Sequence, residues 1–246
     1  MNKKHKTFSR WLLLSMSLLC SNILNAQPSE QWQFILTPIL WNASVKATLT
    51  DSGSGGQEPI RPDYNFFSLD NLNDYLSLQF EARHGRFSIM FDSLRAEYRD
   101  EAATNRLNLS VGTELGFTEL VAGYQLLEKH KLDLYGGVRR SFLDIDVTLT
   151  PFIDNKQEYS WTDPLIGLRY NYSLNKNWQF WLQGDIGGFE VSTQRTVNAV
   201  VNVQYIINNY VSFTTGYRYL QIDFKEDDVL YDVNLKGVYL GVGIHF

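Results

Sequence analysis

The chain has 246 residues, of which 44% are hydrophobic and 20% charged, and its formal net charge is −5. This composition excludes disordered and collagen-like chains, and a single cysteine excludes a fold held together by internal disulfide bonds. The excess of acidic residues also argues against a nucleic-acid-binding surface, which would need clustered positive charge.

The first 26 residues have the pattern of a secretory signal peptide. An apolar run extends from Trp11 to Leu24, Ala26 offers a small residue for cleavage, and the segment before the run carries four basic residues, Lys3, Lys4, Lys6 and Arg10. The run is about 14 residues long, shorter than the ~20 that a membrane-spanning helix needs. We therefore expect residues 1–26 to be removed, leaving residues 27–246 as a single domain with a net charge of −9.

The only cysteine, Cys20, lies inside this apolar run. A bacterial lipoprotein signal normally has a small residue directly before the lipidated cysteine, whereas this chain has Leu19 there. Lipid anchoring at Cys20 is therefore the minor alternative. Cleavage after Ala26 would leave a mature chain without cysteine, so its stability must come from packing and hydrogen bonds rather than from disulfides.

From Gln31 onward, apolar and polar residues alternate with a period of two, which is typical of β-strands and not of helices. In residues 76–83, for example, Leu, Leu, Phe and Ala alternate with Ser, Gln, Glu and Arg, and Gly85-Arg86 then predicts a tight turn. The pattern predicts ten strands, near residues 31–50, 75–84, 86–98, 107–126, 131–149, 160–173, 178–192, 196–206, 210–224 and 229–246.

The predicted connections differ in length between the two ends of the strands. Residues 51–74, 99–106 and 150–159 form long joints, whereas Gly85-Arg86 and residues 128–131 and 175–177 form tight turns. Long loops at one end and short turns at the other are typical of outer-membrane barrels. The glycine- and proline-containing segment 51–74 is predicted to be a mobile external loop.

The predicted fold class is all-β, a transmembrane antiparallel up-and-down barrel of about ten strands, with eight or twelve as alternatives. Only a closed sheet can satisfy its backbone hydrogen bonds in hydrocarbon. A soluble β-sandwich would show the same alternation and stays open as an alternative. The export signal, the terminal aromatic Phe246 and two predicted aromatic belts favour the barrel. The turn-end belt comprises Trp32, Phe34, Tyr172, Trp178, Tyr205, Tyr210 and Phe246, and the loop-end belt comprises Trp41, Phe152, Tyr159, Trp161, Phe189 and Tyr219.

Several strands change the phase of their alternation midway. Phe87, Ile89 and Phe91 would face one side of the sheet, whereas Leu94 and Ala96 would face the other. Bulges near Pro38, Asp92, Arg140 and Gly237 would explain the change. The alternative explanation is that long strands project beyond the membrane, where the facing rule no longer applies.

The face opposite the lipid carries charges of both signs. A buried charge must be paired or hydrated, so a structural network of ion pairs filling the lumen is the favoured interpretation, with a pore lining or ligand pocket as the alternative. A ten-stranded barrel leaves room for a narrow channel at most. The residues concerned are Glu81, Arg83, Asp92, Glu119, Asp133, Arg139, Asp163, Arg169, Asp185 and Arg218. The neighbouring Gly184, Gly187 and Gly188 are predicted to mark a bend or a close packing contact.

Catalysis is not expected. After removal of the signal, His84, His130 and His245 are the remaining histidines, and all three fall at the turn end, away from an external active site. Carboxylates cluster near the outer ends, but acidic loops are usually solvated surface. They are Asp144, Asp146, Asp223, Glu226, Asp227 and Asp228. We expect no cofactor and no specific metal site, with weak cation binding as the alternative.

Six stretches together resemble a family of uncharacterised bacterial outer-membrane β-barrel proteins. They are Trp32 to Phe34 with Thr37, Pro38 and Trp41; Phe80 to Arg83 with Gly85-Arg86; Asp163 to Tyr170; Gly184 to Phe189; Gly216 to Tyr219; and Gly241 to Phe246. The resemblance implies an integral outer-membrane barrel and brings no activity with it. The expected role is structural or interaction-based, with a narrow solute channel as the alternative and a surface hydrolase as the less favoured third hypothesis. The expected partners are outer-membrane lipid, lipopolysaccharide and, through Phe246, the barrel-assembly machinery.

Overall fold

A computed structural model describes residues 31–51, 63–64, 72–103, 108–127, 131–150, 153–226 and 229–246. The described chain forms eleven strands. They are β1 (Gln33–Asp51), β2 (Asp63–Tyr64), β3 (Leu72–His84), β4 (Phe87–Ala103), β5 (Asn108–Leu127), β6 (Leu132–Thr150), β7 (Ile153–Ser173), β8 (Trp178–Gly187), β9 (Arg195–Ile206), β10 (Val211–Glu226) and β11 (Val229–His245). Within these ranges there is no helix long and apolar enough to cross a membrane.

Ten of the strands form a closed antiparallel barrel. Each strand from β3 to β11 pairs with the next in sequence, β1 pairs with β3, and β11 returns to β1. Two backbone hydrogen bonds between Phe34 and Phe246, of 2.9 and 3.0 Å, lie at the seam. The two-residue strand β2 pairs with Val45 and Lys46 of β1. The predicted fold, an antiparallel up-and-down barrel of ten strands, is confirmed.

The two ends of the barrel are named here by their connections. The turn end holds both ends of the described chain and the connections at 85–86, 128–131, 174–177 and 207–210, and the loop end holds the others. Two predicted loops are shorter than expected, because β4 extends to Ala103 and β7 begins at Ile153. In both strands, backbone pairing continues beyond the point at which the sequence stops alternating between apolar and polar residues. β2 lies within the predicted loop 51–74, and the rest of that loop (52–62 and 65–71) and the predicted signal peptide lie outside the described residues.

β8 is shorter than predicted. It ends at Gly187 rather than near residue 192, and residues 188–194 form a turn. Gly188, Phe189 and Glu190 have φ angles of 91°, 50° and 60°, in the left-handed region that interrupts a strand. The prediction from alternation failed here because Phe189 and Val191 continue the apolar pattern while the backbone leaves the sheet.

The predicted bulges near Pro38, Asp92, Arg140 and Gly237 are wrong. Pairing runs without a register shift through all four positions, and the described shifts lie at Leu72/Asp74 and Gln125/Leu127. On β4, Asp92, Leu94 and Ala96 all belong to the inward face. The face therefore stays constant while the chemistry of the lumen changes from charged to apolar along the strand.

The barrel consequently has two halves with opposite polarity. In the turn half, the outer surface is apolar and the interior is charged. In the loop half, apolar side chains fill the interior while the outer surface carries charges such as Arg95 and Glu114, whose side chains are 49% and 26% exposed. The predicted turn-end belt has exposed aromatic side chains at Trp32, Tyr172, Trp178, Tyr205, Tyr210 and Phe246.

The predicted loop-end belt is wrong at both of its tryptophans. Trp41 is 6% exposed and packs inside the barrel, where Trp161 also packs against the interior apolar cluster. Both occupy inward positions in the alternation of their strands, so proximity to a strand end did not decide their orientation. Phe189 is exposed, the hydroxyl of Tyr219 bonds to Asn234, and Phe152 lies outside the described residues.

Candidate functional site: the filled lumen

Four charged residues form an ion-pair cluster toward the turn end of the lumen. The guanidinium of Arg169 donates to both oxygens of Glu81, at 2.7 and 2.9 Å, and to Asp133 at 3.0 Å. Arg83 bridges the same two carboxylates, at 2.6 Å to Asp133 and 3.1 Å to Glu81. Asp133 is fully buried and Arg169 is 7% exposed. Two arginines thus balance two carboxylates, and the four residues come from three strands, β3, β6 and β7.

A second cluster lies deeper in the lumen around Arg139. Its guanidinium donates to Glu119 at 2.6 and 2.9 Å and to Asp185 at 2.8 Å. The hydroxyl of Tyr135 and the amide of Asn198 both donate to Asp185, at 3.0 and 2.7 Å. All five side chains are buried. The Nη1 atom of Arg139 is buried without a hydrogen-bond partner among the described residues, so the cluster is not fully satisfied.

Arg218 connects the charged half of the lumen to the apolar half. It donates to Asp92 at 2.6 Å and to Asn198 at 3.0 Å. Its guanidinium carbon also lies 4.6 Å from the ring centre of Phe117 and 5.5 Å from that of Trp41. A guanidinium at these distances is attracted to aromatic faces. Arg218 therefore holds charged and apolar layers together at mid-lumen.

Nine of the ten predicted lumen charges belong to this charge network, and the tenth does not. The network comprises Glu81, Arg83, Asp92, Glu119, Asp133, Arg139, Arg169, Asp185 and Arg218. Asp163 is 1% exposed but accepts hydrogen bonds from the backbone N–H and hydroxyl of Thr193, at 2.9 and 2.8 Å. Its carboxylate therefore fixes the 188–194 turn at the loop end.

An apolar plug fills the lumen on the loop side of the charge network. Its buried members are Ile39, Trp41, Leu94, Phe117, Val200, Leu220, Ile222, Leu235 and Tyr239. They come from six strands, β1, β4, β5, β9, β10 and β11, and Leu220 is completely buried, while the partly buried Trp161 of β7 and Trp181 of β8 pack against the cluster. These apolar side chains pack against one another across the lumen at this level.

A cavity of about 360 Å³, which we call the vestibule, lies in the turn half of the lumen and reaches Asp92 and Glu119 of the charge network. Its polar lining includes the amides of Gln33, Gln79, Gln125, Gln179, Gln183 and Gln204. Glu81 and Arg169 of the charge network also line it. The sequence analysis did not identify this ring of amides, although each glutamine occupies an inward position in its strand.

The structure also contains a serine–histidine contact that the sequence analysis missed. The Oγ of Ser212 lies 2.8 Å from Nε2 of His245, and Gln204 donates to the same Oγ at 2.8 Å. Ser212 is completely buried, and its two partners, Gln204 and His245, both line the vestibule. The contact joins β10 to β11 beside the seam. His84 lies at the turn end against Trp32, and His130 lies outside the described residues.

The acidic residues predicted near the outer ends do not converge on one point. Asp144 and Asp146 lie on β6, whereas Asp223 lies on β10 beside Arg195, at 3.4 Å. The side chain of Glu226 and residues 227–228 are outside the described part. Across four neighbouring strands, however, Glu97, Glu114, Asp144 and Glu158 stand directly opposite one another on the outer surface. We call these four residues the carboxylate row.

Replacing Asp144 by Asn is expected to stabilise the protein at neutral pH. Partial burial, together with the charges of Glu158 and Glu114, raises the pKa of Asp144 above its ordinary value of 3.8. A raised pKa means that the ionised carboxylate destabilises the folded state, by about 0.2–1 kcal/mol for like charges directly opposite each other. The gain should be present at pH 7 and vanish at pH 3, where the carboxyl is protonated in both states. Unfolding midpoints at the two pH values measure it.

Asp146→Asn is the matched control for this substitution. Asp146 stands opposite Lys156 rather than a carboxylate, so removing its charge should bring no gain. Equal stabilisation by the two substitutions at pH 7 would contradict the role of the carboxylate row.

No family model matches this sequence, and no curated protein matches it. Among solved structures, the outer membrane protease OmpT from Escherichia coli has a TM-score of 0.57 at 10% identity, covering 91% of this chain and 99% of that chain. The translocator domain of the autotransporter NalP from Neisseria meningitidis has a TM-score of 0.43 at 12% identity, covering 98% and 97%. The attachment invasion locus protein Ail of Yersinia pestis has a TM-score of 0.39 at 10% identity, covering 87% and 98%. At this identity, the likeness to OmpT shows the outer-membrane barrel fold and no activity.

Proposed function

We propose that the chain is an integral outer-membrane barrel of structural or interaction type, with a closed lumen and with its loop end outside the cell as the contact surface. The observation that carries this proposal is the filled lumen, in which the charge network and the apolar plug follow one another along the barrel axis. A barrel filled in this way acts through its outside rather than through a pore.

The location in a membrane is supported by a continuous band of exposed apolar side chains. Every barrel strand contributes outward residues to this band, including Leu40, Leu76, Ile89, Leu120, Val138, Ile166, Leu182, Val201, Phe213 and Leu240, which are 47–61% exposed. On β7, outward residues from Pro164 to Tyr172 are apolar or aromatic. These nine positions match the roughly 9–11 residues with which a tilted strand crosses a bilayer. In water, such a surface would drive aggregation.

The length of the strands gives the barrel its contact surface. Most strands have 16–21 residues, well beyond the crossing length. The excess lies at the loop end, where the outer face is charged and the plug supplies a core. The loop half of the barrel would therefore stand outside the membrane as a stable wall rather than as isolated loops. Outer-membrane lipid, lipopolysaccharide and recognition of Phe246 by the assembly machinery are part of this proposal.

Conductance distinguishes the closed barrel from the narrow solute channel. Purified protein reconstituted in a planar bilayer should give no conductance steps. The double variant Trp41→Ala/Phe117→Ala removes the two rings against which Arg218 packs and should produce transient openings, because it leaves a void in the plug at the level of the charge network.

The matched control is Leu40→Ala/Leu76→Ala, which removes two exposed apolar side chains from the outer surface. This variant should give no conductance steps in the planar bilayer. A steady conductance of the unmodified protein that changes on Arg169→Ala would overturn the closed lumen and establish a charged pore.

A further inference from the structure

The wall of the barrel has a notch at its loop end. β8 ends at Gly187 and β9 begins at Arg195, whereas the flanking strands β7 and β10 extend farther out. β7 pairs with β8 only from Leu165, and β10 pairs with β9 only as far as Asp223. Residues 153–162 of β7 are therefore paired with β6 alone within the described chain. We call this segment the β7 edge, and the 188–194 turn forms the floor of the notch.

The backbone of the β7 edge directs hydrogen-bonding groups into the notch. The carbonyl of Pro164 accepts from the N–H of Gly188 at 3.1 Å, and that of Thr162 accepts from the hydroxyl of Ser192 at 3.0 Å. Backbone groups of alternate residues point to the same side of an antiparallel strand. The N–H and C=O groups of Ser160, Glu158 and Lys156 therefore face the notch, and such an edge is a template for an added strand.

The floor of the notch presents apolar side chains on a rigidly anchored turn. Phe189 and Val191 are 51% and 65% exposed. Left-handed backbone at a bulky residue such as Phe189 costs on the order of 1–3 kcal/mol and persists only when its surroundings hold it. Here the bonds from Thr193 to Asp163 and from the N–H of Gln194 to the carbonyl of Asp223 hold it. The turn thus keeps Phe189 and Val191 available at the surface.

The inner wall beside the notch is aromatic and contains an unused donor. The rings of Trp161 on β7 and Phe224 on β10 stack at 4.8 Å with an interplanar angle of 15°, which closes the lumen behind the notch. The indole Nε1 of Trp161 is buried without a hydrogen-bond partner among the described residues.

The charge of the outer surface defines the preferred partner. The carboxylate row crosses β4, β5 and β6 and ends at the β7 edge with Glu158, whose side chain is 62% exposed and already forms an ion pair with Lys156 on the same face of the edge. A strand added to this edge would place one residue directly opposite Glu158. Lysine or arginine at that position would gain a cross-strand ion pair, whereas an acidic residue would extend the repulsion along the row.

We propose that the notch binds an extended basic segment of another protein, which adds to the β7 edge as an antiparallel strand. A lysine or arginine of that segment lies opposite Glu158, and alternate apolar side chains face Trp161 and the floor. This inference rests on the proposed function, because it requires the loop end to be a free contact surface, and it assigns that surface a class of partner.

Binding of two labelled octapeptides to the full chain in detergent micelles tests the proposal. Both peptides alternate threonine with valine and carry one charged residue at a central threonine position, lysine in one peptide and glutamate in the other, and fluorescence anisotropy gives both dissociation constants at physiological salt. We expect the lysine peptide to bind at least tenfold more tightly. Ser160→Pro removes one N–H that faces the notch, without removing a bond to β6, and should weaken the lysine peptide at least tenfold.

Glu158→Lys should reverse the preference in favour of the glutamate peptide. The matched control is Glu97→Lys, which changes the net charge equally but lies three strands from the edge, roughly 14 Å away. It should keep the original preference. Equal effects of the two substitutions, or unchanged binding to Ser160→Pro, would overturn strand addition. A dimer of the chain that Ser160→Pro abolishes, without peptide binding, would assign the edge to a second copy and overturn the peptide partner.

The failure of this inference can be told apart from failure of the proposed function. Conductance and heat-dependent gel mobility are measured on the same preparation and involve neither the β7 edge nor a peptide. A barrel that gives no conductance steps, shows the heat-dependent mobility shift and binds neither peptide would overturn only the proposal that the notch binds a basic segment.

Discussion

Arg139→Met is expected to lower the free energy of unfolding by about 3–5 kcal/mol, because it leaves two buried carboxylates without their common cation. Glu119 and Asp185 are 3% and 4% exposed, and both bond to the Arg139 guanidinium at 2.6–2.9 Å. Methionine keeps most of the side-chain volume, so the loss measures charge rather than a cavity. Unfolding in urea, or the temperature at which the SDS-resistant form disappears, provides the measurement.

Arg95→Met provides the matched control. Arg95 also binds a carboxylate through two nitrogens, with distances of 2.7 and 3.1 Å to Glu114, but its side chain is 49% exposed. Exposed pairs contribute about 0–1 kcal/mol. Neutralising the partners, in Arg139→Met/Glu119→Gln/Asp185→Asn, should recover most of the loss. Equal losses for Arg139→Met and Arg95→Met would contradict a buried network.

Gly167→Val is expected to destabilise the barrel by about 3 kcal/mol or more. Gly167 stands opposite Tyr135, and a Cβ at this position would overlap the Tyr135 ring and the backbone carbonyl of Gly184. The ring is 1% exposed, and its hydroxyl donates to Asp185 at 3.0 Å. Displacing it adds overpacking to the loss of a hydrogen bond to a charged group. The same arrangement recurs between Gly216 and Tyr239.

Gly184→Ala is the control for this substitution. Gly184 faces outward, and the nearest atom to an added Cβ is the carbonyl oxygen of Asn198 at 3.8 Å. The substitution should change stability by less than about 0.5 kcal/mol in the same assay. A loss at Gly184 as large as that at Gly167 would show that glycine is needed for its backbone rather than for the space that Tyr135 fills.

Much of the barrel could be predicted from alternation alone. The strand ending at His84 was placed to within three residues and the start of the strand at Phe87 to within one, because apolar residues face lipid with a period of two and Gly85-Arg86 turns the chain. The inward positions followed from the same alternation, and nine of the ten charges at these positions form ion pairs with one another, in two clusters and the pair of Arg218 with Asp92. Bulges were predicted at four positions because the apolar residues switch from one face of the strand to the other. In the structure each face keeps its orientation along the whole strand, and the environment that the face meets changes instead.

The pairing of the charges could not be predicted, because it depends on contacts between distant strands. Arg169 binds Glu81, which lies 88 residues earlier, and this contact requires the barrel to be closed with its final stagger. The notch was missed for a related reason. It arises from the difference in length between β8 and its neighbour β7, and the apolar residues Phe189 and Val191 concealed the end of β8.

The most direct test of the membrane barrel is the gel mobility of the protein extracted from outer membranes in SDS, with and without boiling. A closed barrel held by the charge network and the plug should resist SDS and migrate differently until it is heated. We predict that the protein fractionates with outer membranes and shows this heat-dependent shift. Recovery in the soluble periplasmic fraction without a shift would contradict the account, since the exposed apolar band would then have to be covered by protein rather than by lipid.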